Sequence, residues 1–152
     1  MPTGGMGSLH RTGVLVRRPV AIGDVRLGVA VDALFDRGLA RLVGFDVGCS
    51  GGAHRFLPFP ACEVEEDRLA VTSALVLLDR ELGFYRAGGR AFSDLLGEEV
   101  SLAGERIGSL RDLLVDPEGS VGRVVASVPS GEVELEPGPA LAVGNHVLRP
   151  AV

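Results

Sequence analysis

One segment of this chain occurs twice, and this repeat constrains the fold more than any other feature of the sequence. Residues 20–36 (VAIGDVRLGVAVDALFD) align without a gap to residues 100–116 (VSLAGERIGSLRDLLVD), at an offset of 80 residues. Six of the 17 aligned positions are identical, where ordinary residue usage would give about one by chance. Because internal repetition decides the architecture, we expect two half-size modules of the same fold that share an interface.

Short apolar runs in both halves predict β-strands. Residues 43–47 and 124–128 each place alternate apolar side chains on one face. Aligning these two runs gives an offset of 81, which predicts one extra residue in the turn of the second half. The 22 Gly and 9 Pro are a high content of turn-forming residues, which suits many short strands and argues against long helices. An apolar run at residues 14–16 predicts a further strand near the start of the first module.

The middle of the chain departs from the strand pattern. Three leucines between residues 75 and 82 recur at helical spacing, Ser73 precedes them as an N-cap candidate, and Gly83 follows as a stop signal. Ser93 is a second N-cap candidate, for a single helical turn. The sequence therefore predicts a disordered leader over 1–10, a first module over 11–72, a linker with a short helix over 73–92, and a second module over 93–152.

The charge distribution limits the classes of partner. The net charge is −5, and residues 81–152 carry six Arg against eleven acidic residues. Clustered cations increase the affinity of a protein for nucleic acid because they release bound counterions. The acidic second half is therefore a poor surface for binding nucleic acid. In the first half Arg17, Arg18 and Arg26 lie close together in the sequence and are candidate partner contacts, although a solvated surface explains them as well.

The sequence gives no sign of secretion or of a membrane span. Its two cysteines do not make a disulfide framework, and no opening stretch has the pattern of a signal peptide. The longest near-apolar run, residues 69–78, is half the length that a membrane span needs. We therefore expect a soluble cytoplasmic protein.

No residue pattern points to a metal, a cofactor or catalysis. Cys49, His54 and Cys62 are three soft ligands at irregular spacing, whereas zinc sites use four, commonly with short spacers. The glycine-rich stretches at residues 4–7 and 48–52 lack the phosphate-binding motifs, and no serine lies in a nucleophile-elbow context. The expectation is a protein that is not an enzyme and needs no cofactor or metal.

Four aspartates recur with the repeat. Asp32 and Asp36 in the first half correspond to Asp112 and Asp116 in the second. Acid–base catalysis needs two carboxylates that face one cleft, but here each pair returns with its own module. A repeated residue has a repeated structural role, so we expect these carboxylates to accept hydrogen bonds from turn amides.

Two segments are candidate contact surfaces for a protein partner. Phe84 and Tyr85 belong to the one aromatic cluster outside the predicted strands, and aromatic side chains are enriched at interfaces. They are equally suited to holding one module against the other. Residues 48–55 form a glycine-rich loop, and loops on a rigid β scaffold often carry binding residues.

The second half resembles a known family. The run VSLAGERIGSLRDLLVDPEG at residues 100–119, followed by RVVASV at residues 123–128, is similar to the PRC-barrel signature with its Asp-Pro-x-x-Gly turn. The match extends over residues 97–149 and more weakly over residues 17–71, where Asp-Arg-Gly at residues 36–38 shortens that turn. PRC-barrel domains occur in the photosynthetic reaction-centre H subunit and in a ribosomal small-subunit maturation factor.

The resemblance implies a small closed antiparallel barrel in each half, in a mainly β tandem joined by a short helical linker. Barrel closure would also remove the exposed edges of short strands. The family implies a non-catalytic protein-interaction or scaffold module whose partner is a protein, with self-association into a homo-oligomer left open. The alternative is an accessory protein of RNA processing or ribosome assembly that contacts RNA or the ribosome.

Overall fold

The structure is a computed structural model that describes residues 9–148 of the 152. It is mainly β, with 51% of residues in strands and 18% in helices, which confirms the expected class. The strands form two seven-stranded sheets, one built mainly from each half of the chain. Most of the leader predicted over residues 1–10 lies outside the described residues.

The first half forms seven strands and one single-turn helix. They are β1 (His10–Arg11), α1 (Thr12–Leu15), β2 (Pro19–Ile22), β3 (Val25–Phe35), β4 (Leu42–Cys49), β5 (His54–Pro58), β6 (Glu63–Val64) and β7 (Leu69–Ala70). Short 3₁₀ turns occur at Ser50–Gly52, Phe59–Ala61 and Ala74–Val76.

The second half repeats this order after one longer helix. Its elements are α2 (Glu81–Gly88), β8 (Arg90–Ala91), α3 (Phe92–Leu95), β9 (Glu99–Leu102), β10 (Glu105–Val115), β11 (Val121–Val128), β12 (Gly131–Leu135), β13 (Leu141–Val143) and β14 (His146–Val147).

Neither sheet closes into a barrel within residues 9–148. The first sheet has the order β5-β4-β3-β2-β7-β6 and the second has the order β12-β11-β10-β9-β13-β14. The expected closed barrels are therefore not seen, because the terminal strands β6 and β14 have only two residues each and do not pair with β5 and β12. The pairs are antiparallel except β2 with β7, which makes the first sheet mixed.

The two halves exchange their first strand. β1 pairs with β10 of the second half, with His10 opposite Val115. β8 pairs with β3 of the first half, with Arg90 opposite Phe35, at the equivalent register. The helices follow the same pattern, since α1 lies against β10 and α3 against β3. Residues 10–15 and 90–95 thus precede one half in sequence and belong to the other by contact.

A shared core joins the halves. Buried side chains from both halves form one cluster, with Phe45 and Leu57 from the first and Leu113 and Val124 from the second. Backbone hydrogen bonds also cross between the turns that follow the long strands: Leu42 N donates to Gly119 O at 2.8 Å and Val121 N donates to Ala40 O at 2.9 Å. The halves therefore fold as an interlocked pair.

Three of the predicted local structures are wrong. Ser93 is not an N-cap, because α3 begins at Phe92 and Ala91 takes the N-cap position. Residues 14–16 do not form a strand: α1 covers residues 12–15, because Thr12 and Leu15 turn inwards and are buried. The helix predicted near residues 73–82 is also misplaced. Ser73 caps only the 3₁₀ turn that follows it, through Leu75 N at 3.1 Å, and α2 begins at Glu81 and runs through Gly83.

The predicted register between the halves is wrong by two residues. Phe45 lies opposite Ala33 and Val124 lies opposite Leu113, so the true offset of these strands is 79. The extra residue is therefore in the first half. The expectation that residues 36–38 shorten this turn is also wrong, since six residues separate Phe35 from Leu42 and five separate Val115 from Val121. Leu39, at φ +56°, takes the left-handed position that Gly119 occupies at φ +93°.

Candidate interaction surface

The symmetry of the two halves breaks at one buried carboxylate. Asp46 on β4 lies opposite Asp32, and Val125 on β11 lies opposite Asp112, so a valine stands where the first half has an aspartate. Asp46 is 1% exposed. Burying an ionised group costs free energy unless the group is paired. The partners of Asp46 therefore form a site that the second half lacks.

Asp46 is held by two side chains that reach it from different elements. His54 on β5 contacts Asp46 Oδ1 through Nδ1 at 2.8 Å, and Arg86 on α2 forms an ion pair with Asp46 Oδ2 through Nη2. The side chains of His54 and Arg86 are about half exposed, at 53% and 45%. When Nδ1 donates, a neutral imidazole keeps Nε2 as an acceptor. The buried carboxylate therefore fixes two polar side chains that remain accessible to a partner.

Aromatic stacking anchors α2 to the outer face of the first sheet. Tyr85 stacks on Phe56 of β5, with ring centroids 4.2 Å apart and planes 16° apart. Leu82 packs against a second, smaller cluster of buried side chains that Phe56 forms with Leu34 and Ala91. Phe84 meets the edge of Tyr85 at 5.1 Å and 88° but is itself 71% exposed. α2 contains two glycines, which disfavour helix, so its helical state depends on this packing.

A small apolar slot opens beside the exposed aromatic ring. Its volume is about 200 Å³, and it lies between α2 and the strands β3 and β4. Its lining comes from Phe35, Asp36, Val43, Phe84, Tyr85, Gly88 and Gly89. Small-molecule pockets usually measure about 300–1,000 Å³, so the slot has the size for a single inserted side chain.

Charged groups of both signs surround α2, and two of the cations are exposed. Arg37 is exposed and donates from Nη2 to Ala87 O, near the end of α2, at 3.4 Å. Arg80, the residue before α2, is also exposed. The nearby acids are mostly engaged: Asp79 pairs with Arg55, and Asp36 accepts hydrogen bonds from turn amides. We call α2 with His54, Arg37 and this slot the α2 surface.

The sequence-predicted contact residues fall in different places. Phe84 and Tyr85 lie on the α2 surface, and His54 from the predicted loop joins them through Asp46. The three arginines lie elsewhere. Arg18 donates to Glu65 O at 2.5 Å, and Arg17 and Arg26 are exposed.

Sequence reasoning missed Asp46 and Arg86. The available signal was a single acidic residue between Phe45 and Val47, inside an otherwise apolar strand. Its partner Arg86 is 40 residues further along the chain, a separation at which no periodicity connects the two.

A larger cleft of about 600 Å³ lies where the first half meets the exchanged strand β1. Its polar lining includes His10, Cys62, Glu63 and Thr72. Burial raises the pKa of Cys62 to about 12, and burial together with Arg18 lowers the pKa of His10. At neutral pH both groups are uncharged, so the cleft offers no thiolate nucleophile.

The described residues contain neither a metal-binding group nor a membrane-spanning helix. No cluster of three or more His, Cys, Asp or Glu side chains within residues 9–148 is arranged to hold a metal ion. Cys49 instead lies at the end of β4 and His54 is bonded to Asp46. No helix within the same residues is long and apolar enough to cross a membrane.

No protein-family model matches the chain, and no curated protein matches it significantly in sequence.

Proposed function

We propose that this chain is a non-catalytic protein-interaction or scaffold module, built from two PRC-barrel-like repeats, that acts in the cytoplasm. The observation that carries the proposal is the exposure of Phe84. Its ring is 71% exposed on a helix that Tyr85 holds firmly to the sheet. A rigidly presented aromatic side chain beside an apolar slot is typical of interface anchors.

The repeat supports the architectural part of the proposal. The bulges of the two long strands fall at equivalent places, between Ala30 and Asp32 and between Leu110 and Asp112. The turns after these strands also correspond, since Asp36 and Asp116 each accept backbone hydrogen bonds from within them. These features support two copies of one module, of which the second carries the Asp-Pro-x-x-Gly turn of the resemblance and the first has Asp-Arg-Gly-Leu in its place.

The asymmetry supports an interaction role for one face. The aromatic stack at Phe56 and the cluster at Asp46 belong to the first half, whereas the register places Glu134 and Val125 at the corresponding strand positions of the second. Because the second half folds without these two features, they are available for a function other than folding. The raised pKa of Cys62 keeps its thiol protonated at neutral pH, which argues against a thiolate nucleophile in the larger cleft.

An affinity pull-down from the native cell lysate tests the proposal. The tagged full chain is compared with Phe84→Ser and with Leu75→Ser, a matched control because Leu75 is 87% exposed and lies outside α2. Each capture is run with and without nuclease, at low and moderate salt. We expect a defined protein partner that survives nuclease, is lost with Phe84→Ser and is retained with Leu75→Ser. A capture indifferent to Phe84 contradicts the proposal.

The same experiment separates the alternative role in RNA processing or ribosome assembly. Contact with RNA through the exposed Arg17 and Arg26 would make the capture sensitive to nuclease, and it would weaken steeply as salt rises. A captured set of ribosomal proteins with both sensitivities, reduced by Arg17→Ala and Arg26→Ala, would favour that alternative. Recovery of the tagged chain with untagged copies of itself would indicate a homo-oligomer.

A further inference from the structure

We infer that the α2 surface binds a flexible acidic segment of a partner protein, which inserts one bulky apolar side chain into the slot beside Phe84. This inference rests on the proposed function and specifies the chemistry of the partner. It is drawn from the volume of the slot, the exposed ring of Phe84 beside it and the charged groups at its rim.

The slot can accept one side chain of the size of Leu or Phe. Its floor is fixed, because Phe35 is fully buried and Tyr85 is held by its stack on Phe56. One wall is Phe84, whose exposed ring is restrained mainly by its edge contact with Tyr85. An apolar side chain inserted beside this ring would remove apolar surface of both groups from water.

The charged groups at the rim of the slot favour an acidic residue next to the inserted apolar side chain. Arg37 has one long hydrogen bond to Ala87 O and is otherwise exposed to solvent. Its position also offsets the partial negative charge at the C-terminal end of α2. Arg80 is exposed at the other end of the helix. Two acids lie nearby, Glu81 in the first turn of α2 and Asp36 in the slot lining. Asp36 accepts hydrogen bonds from two turn amides, so the exposed Arg37 and Arg80 are the groups open to an incoming carboxylate.

The overall charge argues for a short acidic segment over a long polyanion. The chain carries a net charge of −5, which repels an extended polyanion at distances beyond the rim. A segment with one apolar residue and a few carboxylates needs only the local cations. A narrow slot likewise favours a flexible segment, which can thread one side chain inwards, over a broad folded surface.

Selection from a random linear-peptide display library tests the inference. The immobilised full chain is the target, and Phe84→Ser is the counter-selection. We expect enriched peptides that share one bulky apolar residue flanked by Asp or Glu. Enrichment of basic or wholly polar peptides, or no enrichment, would overturn the inference.

Binding of the enriched peptide, synthesised with a fluorophore, is then measured by fluorescence anisotropy. We expect affinity to fall about tenfold or more with Phe84→Ser, which corresponds to about 1.4 kcal/mol, to fall with Arg37→Glu, and to weaken as salt rises. Leu75→Ser should leave it unchanged, and circular dichroism checks that each variant is folded. Affinity that is indifferent to both Phe84 and Arg37 would overturn the inference.

The two proposals can fail separately. A lysate partner that depends on Phe84, combined with peptides that lack the acidic and apolar pattern, would keep the interaction module and remove the acidic segment. Peptides of the expected pattern with no lysate partner would support the site chemistry and remove the proposed cellular role.

Discussion

Asp32 accepts two hydrogen bonds from Ser93, a residue 61 positions further along the chain. Ser93 N donates to Oδ1 at 3.1 Å and Ser93 Oγ donates to Oδ2 at 2.5 Å. Asp112 makes the counterpart contact with the first half, where Gly13 N donates to its Oδ1 at 3.1 Å. Each carboxylate thus satisfies amide groups at the start of the single-turn helix that the other half contributes. The repeated aspartates therefore hold the exchanged segments in place by hydrogen bonds.

Removing one of these carboxylates should loosen the interlocked pair. Asp32→Ala leaves Ser93 N without its acceptor, and we expect the free energy of unfolding to fall by about 2–3 kcal/mol, as for hydrogen bonds to a charged group. Ser93→Ala removes only the hydroxyl bond and should cost about 1 kcal/mol. Urea denaturation measures both, with the exposed Glu66→Ala as control, expected within about 0.5 kcal/mol of wild type. Equal losses for Asp32→Ala and Glu66→Ala would contradict this role.

Gly28 and Gly108 should tolerate no side chain. A Cβ at Gly28 would lie 2.5 Å from Gly48 O, and a Cβ at Gly108 would collide with Ser127 O. Overpacking of this kind costs about 1–3 kcal/mol, so alanine at either position should lower the thermal midpoint. Gly38→Ala is the control, because nothing lies within 4 Å of its Cβ position. If all three alanine variants have the same thermal midpoint, the strand register described here is wrong.

The local parts of the fold were predictable from sequence because the repeat marks them. The long strands β3 and β10 and their aspartates follow from identities at a fixed offset. The exchange of β1 and β8 was not predictable, because strands of two residues have no periodicity and their pairing depends on tertiary contact. The strand predicted at residues 14–16 is wrong for a related reason. Two of these three residues are valines, which favour strand, but burial of Leu15 against the other half decides the structure.

The candidate surface was predictable only in part. Phe84 and Tyr85 stand out in sequence as aromatic residues away from the predicted strands. Asp46 did not stand out, because a single acidic residue within a strand gives no periodic signal and its role appears only when Arg86 approaches it in three dimensions. The helix that carries Phe84 was misplaced because the leucine spacing at residues 75–82 favoured helix, whereas Leu78 pairs its backbone with Phe56 in an extended conformation.

α2 should become more stable when a glycine is removed from its interior. Gly83 lies within α2, and nothing approaches its Cβ position within 4 Å. Gly83→Ala should therefore raise the free energy of unfolding by about 0.5–1 kcal/mol, measured by urea denaturation. Gly51→Ala is the contrasting variant, because φ +81° at that position disfavours any side chain, and it should destabilise the protein. A loss of stability in Gly83→Ala would show that α2 ends before this residue.

The partly buried thiol of Cys62 should make stability depend on alkaline pH. Burial raises its pKa from 9.0 to about 12, so the folded protein keeps the thiol proton at pH values where the unfolded chain has lost it. Between these values the folded state binds more protons, and the free energy of unfolding must fall as pH rises; below pH 9.0 this group has no effect. Urea denaturation at a series of alkaline pH values should show a steeper loss for wild type than for Cys62→Ala.

The same protonation predicts a slow reaction of Cys62 with alkylating reagents. Because the thiolate is the reactive form, iodoacetamide at neutral to mildly alkaline pH should modify Cys62 in the folded protein on the order of a hundredfold more slowly than in urea. Mass spectrometry of the peptides that contain Cys49 and Cys62 follows each thiol separately, and the urea-unfolded protein supplies the reference rate. Equal rates for Cys62 in the folded and unfolded protein would mean that its thiol is open to solvent, and the cleft beside His10 would then present a reactive sulfur instead of an inert one.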